Sequence, residues 1–202
     1  MLAGVATLVG AYLIGSIPVA YLLSALVTRR DIREMGSGNV GALNAHRSLG
    51  MRYGLLVLAL DIAKGAFVML AAVAAPIPAW AMYGAAVAVM AGHNWPVYIG
   101  FRGGKGAAVL AGISIVVLPV FSLLSLPAAV LGYWATRSAF WGLFTGLISI
   151  NALIIVTLQP IPQIALCVGL TLLVGGTHML RAAPELWPAI KARDFRRIGE
   201  IE

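Results

Sequence analysis

The stretch AAVLAGISIVVLPVFSLLSLPAAVLGYWAT, Ala107 to Thr136, decides how this chain is folded. It runs for 30 residues without a charge. As one helix it would measure about 45 Å, against a hydrocarbon core of about 30 Å. Two full-length spans would need about 40 residues. Pro119 and Pro127 lie inside it. Each proline removes a helix hydrogen bond and crowds the preceding turn, so the stretch reads as two short helices.

Working outward, apolar spans run over Ala3–Val27, Tyr53–Ala75, Ala79 to about Tyr98, Phe140–Leu158 and Ile161–Leu180. The chain is 61% hydrophobic and 10% charged, with mean hydropathy +0.95. Soluble domains carry about 25% charged residues, so a water-soluble globule is excluded. The first run lacks a basic leader and is too long for a signal-peptide core, so it reads as a retained span. Backbone groups in lipid must be satisfied internally, which makes the spans helical.

Of the 14 Lys and Arg residues, 13 fall in four places. Arg29, Arg30, Arg33, Arg47 and Arg52 follow the first span, and Arg102 and Lys105 follow the third. Arg137 follows the long stretch, while Arg181, Lys191, Arg193, Arg196 and Arg197 form the tail. The connections at Pro76-Ile77-Pro78 and Gln159-Pro160 carry no charge. If the long stretch crosses twice, every basic segment faces one side. If it crosses once, the tail opposes the first loop. The positive-inside rule therefore selects an all-α integral membrane protein with seven transmembrane helices, N-terminus out and C-terminus in. Residues 1–202 read as one membrane-embedded domain.

The net charge of +7 and pI near 10.1 fit cytoplasmic loop bias and attraction to anionic lipid. No basic stripe interleaved with aromatics marks a nucleic-acid surface. The one cysteine, Cys167, cannot pair within the chain or build a cysteine metal site. No internal repeat is visible, which argues against an inverted-repeat transporter.

Polar residues gather in two loops. Gly92-His93-Asn94-Trp95-Pro96 leads into Phe101-Arg102-Gly103-Gly104-Lys105-Gly106. Glycines let backbone N–H groups converge on an anion, and Arg102 and Lys105 add positive charge suited to a phosphate. The turn is not a nucleotide P-loop, because Ile99 and Gly106 occupy positions that motif gives to Gly and to Ser or Thr. A helix opening at Ala107 would direct its positive end at the bound anion.

The other loop, Gly36-Ser37-Gly38-Asn39-Val40-Gly41-Ala42-Leu43-Asn44-Ala45-His46-Arg47, also offers donors to an oxygen-rich ligand. An ordinary polar loop would look similar, but two such loops on one membrane face point to phosphate esters. Asp61 and Lys64, three apart, share a helical face deep in the second span. Each charge alone would cost about 2.5–3.5 kcal/mol at mid-bilayer, so the two should pair or face a polar cavity. His93 and His178 end spans, and with His46 they lack the carboxylates of a metal site. The tryptophans near span ends read as interfacial anchors. No Ser-His-acid arrangement can be drawn, so acyl transfer here would need an already activated donor, which an acyl phosphate supplies.

These segments, with Gly15-Ser16-Ile17-Pro18 and Asp61-Ile62-Ala63-Lys64-Gly65, resemble the bacterial acyl-phosphate:glycerol-3-phosphate acyltransferase family, PlsY, over essentially the full chain. The resemblance implies an inner-membrane enzyme with its site open to the cytoplasm. Such enzymes acylate the 1-hydroxyl of glycerol 3-phosphate, the first acylation of phospholipid synthesis, with no metal or cofactor. By position, Ser37, Asn39, Asn44 and Arg47 would hold glycerol 3-phosphate. His93 and the turn Gly103, Gly104, Lys105 and Gly106 would hold acyl phosphate, with Ser37, His93 and Lys105 catalytic. Arg137 and His178 would bind substrate, and Asp61 and Lys64 would support the site.

The expected partners are the two substrates and membrane lipid, with the chain acting as a monomer and nucleic acid absent. The chain departs from the family pattern at Leu43, Val109, Phe140 and Arg181, where neutral hydrogen-bonding residues are usual. Those departures leave room for a different acceptor or lower activity. Two other readings stay open: a non-catalytic lipid- or anion-binding protein on this scaffold, and an anion transporter.

Overall fold

The structure, a computed structural model, describes residues 1–192. Among them lie α1 (Leu2–Gly15), α2 (Val19–Thr28), α3 (Ala42–Leu49), α4 (Met51–Ala74), α5 (Ala79–Asn94) and α6 (Ala107–Val117). They are followed by α7 (Pro119–Leu124), α8 (Leu126–Thr136), α9 (Ala139–Val156) and α10 (Ile161–Lys191). Short 3-10 turns occupy Ile32–Glu34 and Val97–Ile99. The chain separates into two compact units, Met1–Pro119 and Val120–Glu202. Five helical runs are long and apolar enough to cross a membrane: Leu2–Thr28, Met51–Ala74, Pro119–Thr136, Ala139–Val156 and Ile161–Ala183. Helix α5, with 16 residues, and α6, with 11, are shorter.

The stretch from Ala107 to Thr136 does divide. Leu118 leaves helical geometry at φ −136°, ψ 56°, just before Pro119. Pro127 acts differently, sitting in the first turn of α8, where its missing N–H costs nothing. The first span, expected as one helix over Ala3–Val27, is broken at Ser16–Pro18. Pro18 donates no backbone hydrogen bond and pushes Ile17 away from helical geometry. The last helix overruns its expected end at Leu180 and reaches Lys191, so Arg181 and Lys191 lie on it. Arg193, Arg196 and Arg197 of the expected basic tail lie outside the described residues.

In the first unit, α1 packs on α5 and α4 on α6. The α4–α6 crossing is made by backbone: a Cβ on Gly65 would collide with the Val109 carbonyl, and one on Gly112 with the Ile62 carbonyl. Below the loops, Ala20, Ile32, Val40, Ala45, Val57 and Ile99 form one buried apolar cluster. This cluster joins α2, both polar loops, α3 and α4. Large apolar side chains along α4, among them Leu55, Phe67, Leu70 and Val73, are exposed and suited to face hydrocarbon.

In the second unit, α8 and α9 form a hairpin closed by Arg137 and Ser138. Arg137 caps α8 in left-handed geometry at φ 56°, and the Ser138 side chain accepts from the Trp141 N–H. Asn151 of α9 donates to Thr171 of α10 at 2.8 Å, a polar clasp between apolar helices.

Candidate active site

The first loop is held by Asn44. Its buried amide nitrogen lies 2.9–3.1 Å from the carbonyl oxygens of Ile32, Met35 and Asn39, which share its two N–H groups. Its oxygen accepts from the Ser37 N–H at 3.0 Å and the Ser48 hydroxyl at 3.2 Å. Asn44 was expected to hold substrate. These contacts are with the loop itself, so Asn44 shapes the site. Ser37 and Arg47 are exposed, and Asn39 is half-buried.

Arg33, counted above only among the basic residues after the first span, ties this loop to the next. It meets Asp31 in a fork, 2.7 Å from Nη2 to Oδ2, while Nη1 donates to the Ile99 carbonyl at 2.9 Å. Its guanidinium also lies 5.4 Å from the Tyr21 ring centre. The guanidinium lowers the Asp31 carboxyl below its ordinary 3.8, chiefly through the side-chain hydrogen bond.

The second loop folds back on the end of α5. The Gly104 N–H donates to the His93 carbonyl at 3.0 Å, and that of Gly103 to the Asn94 carbonyl at 3.2 Å. Gly104 has no room for a side chain. A methyl group there would collide with His93 Nε2 and come within 2.8 Å of the Val40 carbonyl oxygen. Thus Gly104 touches both His93 and the first loop. Gly106, at φ +90°, then starts α6, and Lys105 is buried beside it.

Beneath the turn lies a small cleft. Its walls are the break Ser16–Pro18, Asp61 and Lys64 of α4, His93, and Gly103 with Gly104. Asp61 and Lys64 pair at 2.9 Å from Oδ1 to Nζ, and Lys64 also donates to the Ile17 carbonyl at 3.1 Å. The carbonyl released where Pro18 interrupts the first span therefore receives a cation from α4. His93 Nδ1 stands 3.6 Å from the same Asp61 oxygen. Tyr12 closes the region from α1, its hydroxyl donating to the Trp95 carbonyl at 2.8 Å.

Of the expected site residues in the first unit, His93, Gly103 and Gly104 line this cleft, while Lys105 and Gly106 follow in the turn. Ser37 and Asn39 lie in the loop before α3, and Asn44 and Arg47 lie on α3 itself. Asp61 and Lys64 lie below. Arg137 and His178 belong to the second unit. There His178 is buried and stacks on Phe140 with ring centres 3.8 Å apart, and it meets Trp141 edge-to-face with ring centres 5.6 Å apart. Among the described residues, no three of His, Cys, Asp and Glu gather as metal ligands. The break at Ser16–Pro18 and the Arg33 bridge escaped sequence reasoning. A proline in mid-span was the one signal for the first, and nothing distinguished Arg33 from its neighbouring arginines.

A family model described as glycerol-3-phosphate acyltransferase matches residues 5–182. A relative from Dehalococcoides mccartyi, glycerol-3-phosphate acyltransferase 4, is 41% identical over 174 residues, covering 85% of this chain and 92% of its own. A glycerol-3-phosphate acyltransferase from Thermus thermophilus is 36% identical over 200 residues, covering 99% and 98%. The crystal structure of PlsY, an integral membrane glycerol 3-phosphate acyltransferase in its glycerol 3-phosphate form, superposes with a TM-score of 0.83 at 31% identity. It covers 95% of this chain and 94% of that one. The lysophosphatidic acid form of PlsY gives 0.78 at 32% identity, covering 87% and 88%. With the fold, the loops and the full-length match in agreement, this chain belongs to the glycerol-3-phosphate acyltransferase family.

Proposed function

We propose that this protein transfers a fatty acyl group from acyl phosphate to the 1-hydroxyl of glycerol 3-phosphate. The products are 1-acyl-glycerol 3-phosphate and inorganic phosphate. The observation that carries this reading is the meeting of the two loops on one apolar cluster, with Gly104 against Val40 and Arg33 bound to Ile99. Two anion-binding loops held side by side suit two phosphate-bearing reactants.

Ser37, Asn39, Asn44 and Arg47 hold the acceptor, and Asn44 also braces the segment that carries them. His93 and the turn through Gly103, Gly104, Lys105 and Gly106 hold the acyl-phosphate headgroup. Arg137 and His178 are substrate-binding residues on the family resemblance alone. The acceptor oxygen attacks the acyl carbonyl, the bond to phosphate breaks, and the hydroxyl proton leaves on phosphate. Lys105 offsets the charge that develops. Orientation contributes heavily, since well-placed reactants lower a barrier by about 7–11 kcal/mol.

The placement of basic residues supports seven spans, with the N-terminus outside and the site on the cytoplasmic face of the inner membrane. The division at Leu118–Pro119 supports a double crossing by α6 and the α7–α8 run. The proposed reaction needs no cofactor. The test is phosphate release by the purified protein in lipid mesophase, given palmitoyl phosphate and glycerol 3-phosphate. Binding of both without release would favour a non-catalytic role.

A further inference from the structure

Between Glu34 and Glu185 the chain contains one acidic residue, Asp61. It is 3% exposed, on an apolar helix. Mutual neutralisation with Lys64 explains how the pair is tolerated, but not why it is present. An apolar pair of similar volume would be equally or more stable than two buried ions. The remaining neighbour is informative. One Asp61 oxygen faces both Lys64 Nζ and His93 Nδ1, while the opposite ring nitrogen of His93, Nε2, abuts Gly104. The imidazole therefore stands between a carboxylate and the glycine turn, one nitrogen toward each.

We propose that Asp61 is a positioning residue, holding the Nδ1 proton of His93 so that Nε2 is presented to the phosphate bound at the Gly103–Gly106 turn. This rests on the reading of that turn as a phosphate site. A carboxylate behind an imidazole fixes both its tautomer and its orientation. At 3.6 Å the Nδ1–Oδ1 separation is longer than a hydrogen bond, and such contacts shorten when the ligand arrives. Lys64 completes the device from behind. Bonded to Asp61 and to the Ile17 carbonyl, it fixes the carboxylate against the break in the first span.

The experiment is 15N spectroscopy of histidine-labelled full-length protein in lipid, the His93 signals being assigned by their loss in His93→Gln. Wild type should show the Nδ1–H tautomer, and titration with inorganic phosphate should shift Nε2. An Nε2–H tautomer in wild type would overturn the proposal with no variant needed. The double variant Asp61→Asn/Lys64→Met removes both charges together, leaving no lone buried ion. It should fold, give a mixture of His93 tautomers, and lose kcat by roughly 10- to 100-fold, the range typical of lost histidine-orienting partners. A double variant with wild-type kcat and an unchanged His93 spectrum would make Asp61 merely the counter-ion of Lys64. The tautomer is readable whether or not the protein turns over, so failure here is distinct from failure of the acyltransferase assay.

Discussion

At the scale of single residues, the proposed reaction divides the site into groups that touch reactants and groups that hold those groups. It assigns Lys105 to the first kind. Lys105→Ala should lower phosphate release by roughly 10²–10³-fold or more while the melting temperature is kept. Wild-type turnover in that variant would remove Lys105 from the chemistry. Gly104→Ala is a geometric test. Its methyl group would displace the His93 ring or the Val40 backbone, and a shift of about 1 Å should reduce kcat by roughly 100-fold. Asn44 is of both kinds. Asn44→Ala orphans carbonyls and the Ser37 N–H inside a packed loop, and should lower stability by about 1–3 kcal/mol, read from thermal melts. The gathering of His93 and the glycine turn at one cleft was legible, because glycine beside a cation has few other uses. The bracing role of Asn44 was not, since a loop asparagine reads alike whether it faces a ligand or its own backbone.

At the scale of elements, the loop between α2 and α3 is ordered by a side-chain lattice rather than by regular structure. Asp31 and Arg33 supply its charged part, and the sign of their pH dependence follows from the carboxyl. Its acidity is strengthened in the folded protein, so its stabilisation is complete above the ordinary carboxylate range. That contribution is lost as pH falls through the lowered value. The melting-point gap between wild type and Asp31→Asn should therefore be present at pH 6 and close toward pH 3. Both side chains are partly exposed, 30% for Arg33 and 22% for Asp31, so it amounts to no more than about 1 kcal/mol. A gap unchanged at pH 3 would show that the amide fails for another reason. Hydropathy outlined the long helices well because lipid rewards apolar length. It missed the break at Ser16–Pro18 because two helical pieces with an apolar link between them average to the same value as one.

At the scale of the whole molecule, the proposed orientation rests on the distribution of basic residues. A label on Ser48→Cys should react from the cytoplasmic side alone, with Cys167 buried and silent as a background. Labelling from outside would invert the topology. The spacing of Asp61 and Lys64, one turn apart on α4, also bears on how the protein is made. A nascent α4 leaving the translocon carries its own counter-ion, so it can partition into lipid as a net-neutral segment before its other neighbours gather. The Ile17 carbonyl comes from a span synthesised earlier and His93 from one synthesised later. On the role proposed for Asp61, biogenesis and catalysis would draw on the same two side chains, first as a passport through the bilayer and only afterwards as the floor beneath the reacting groups.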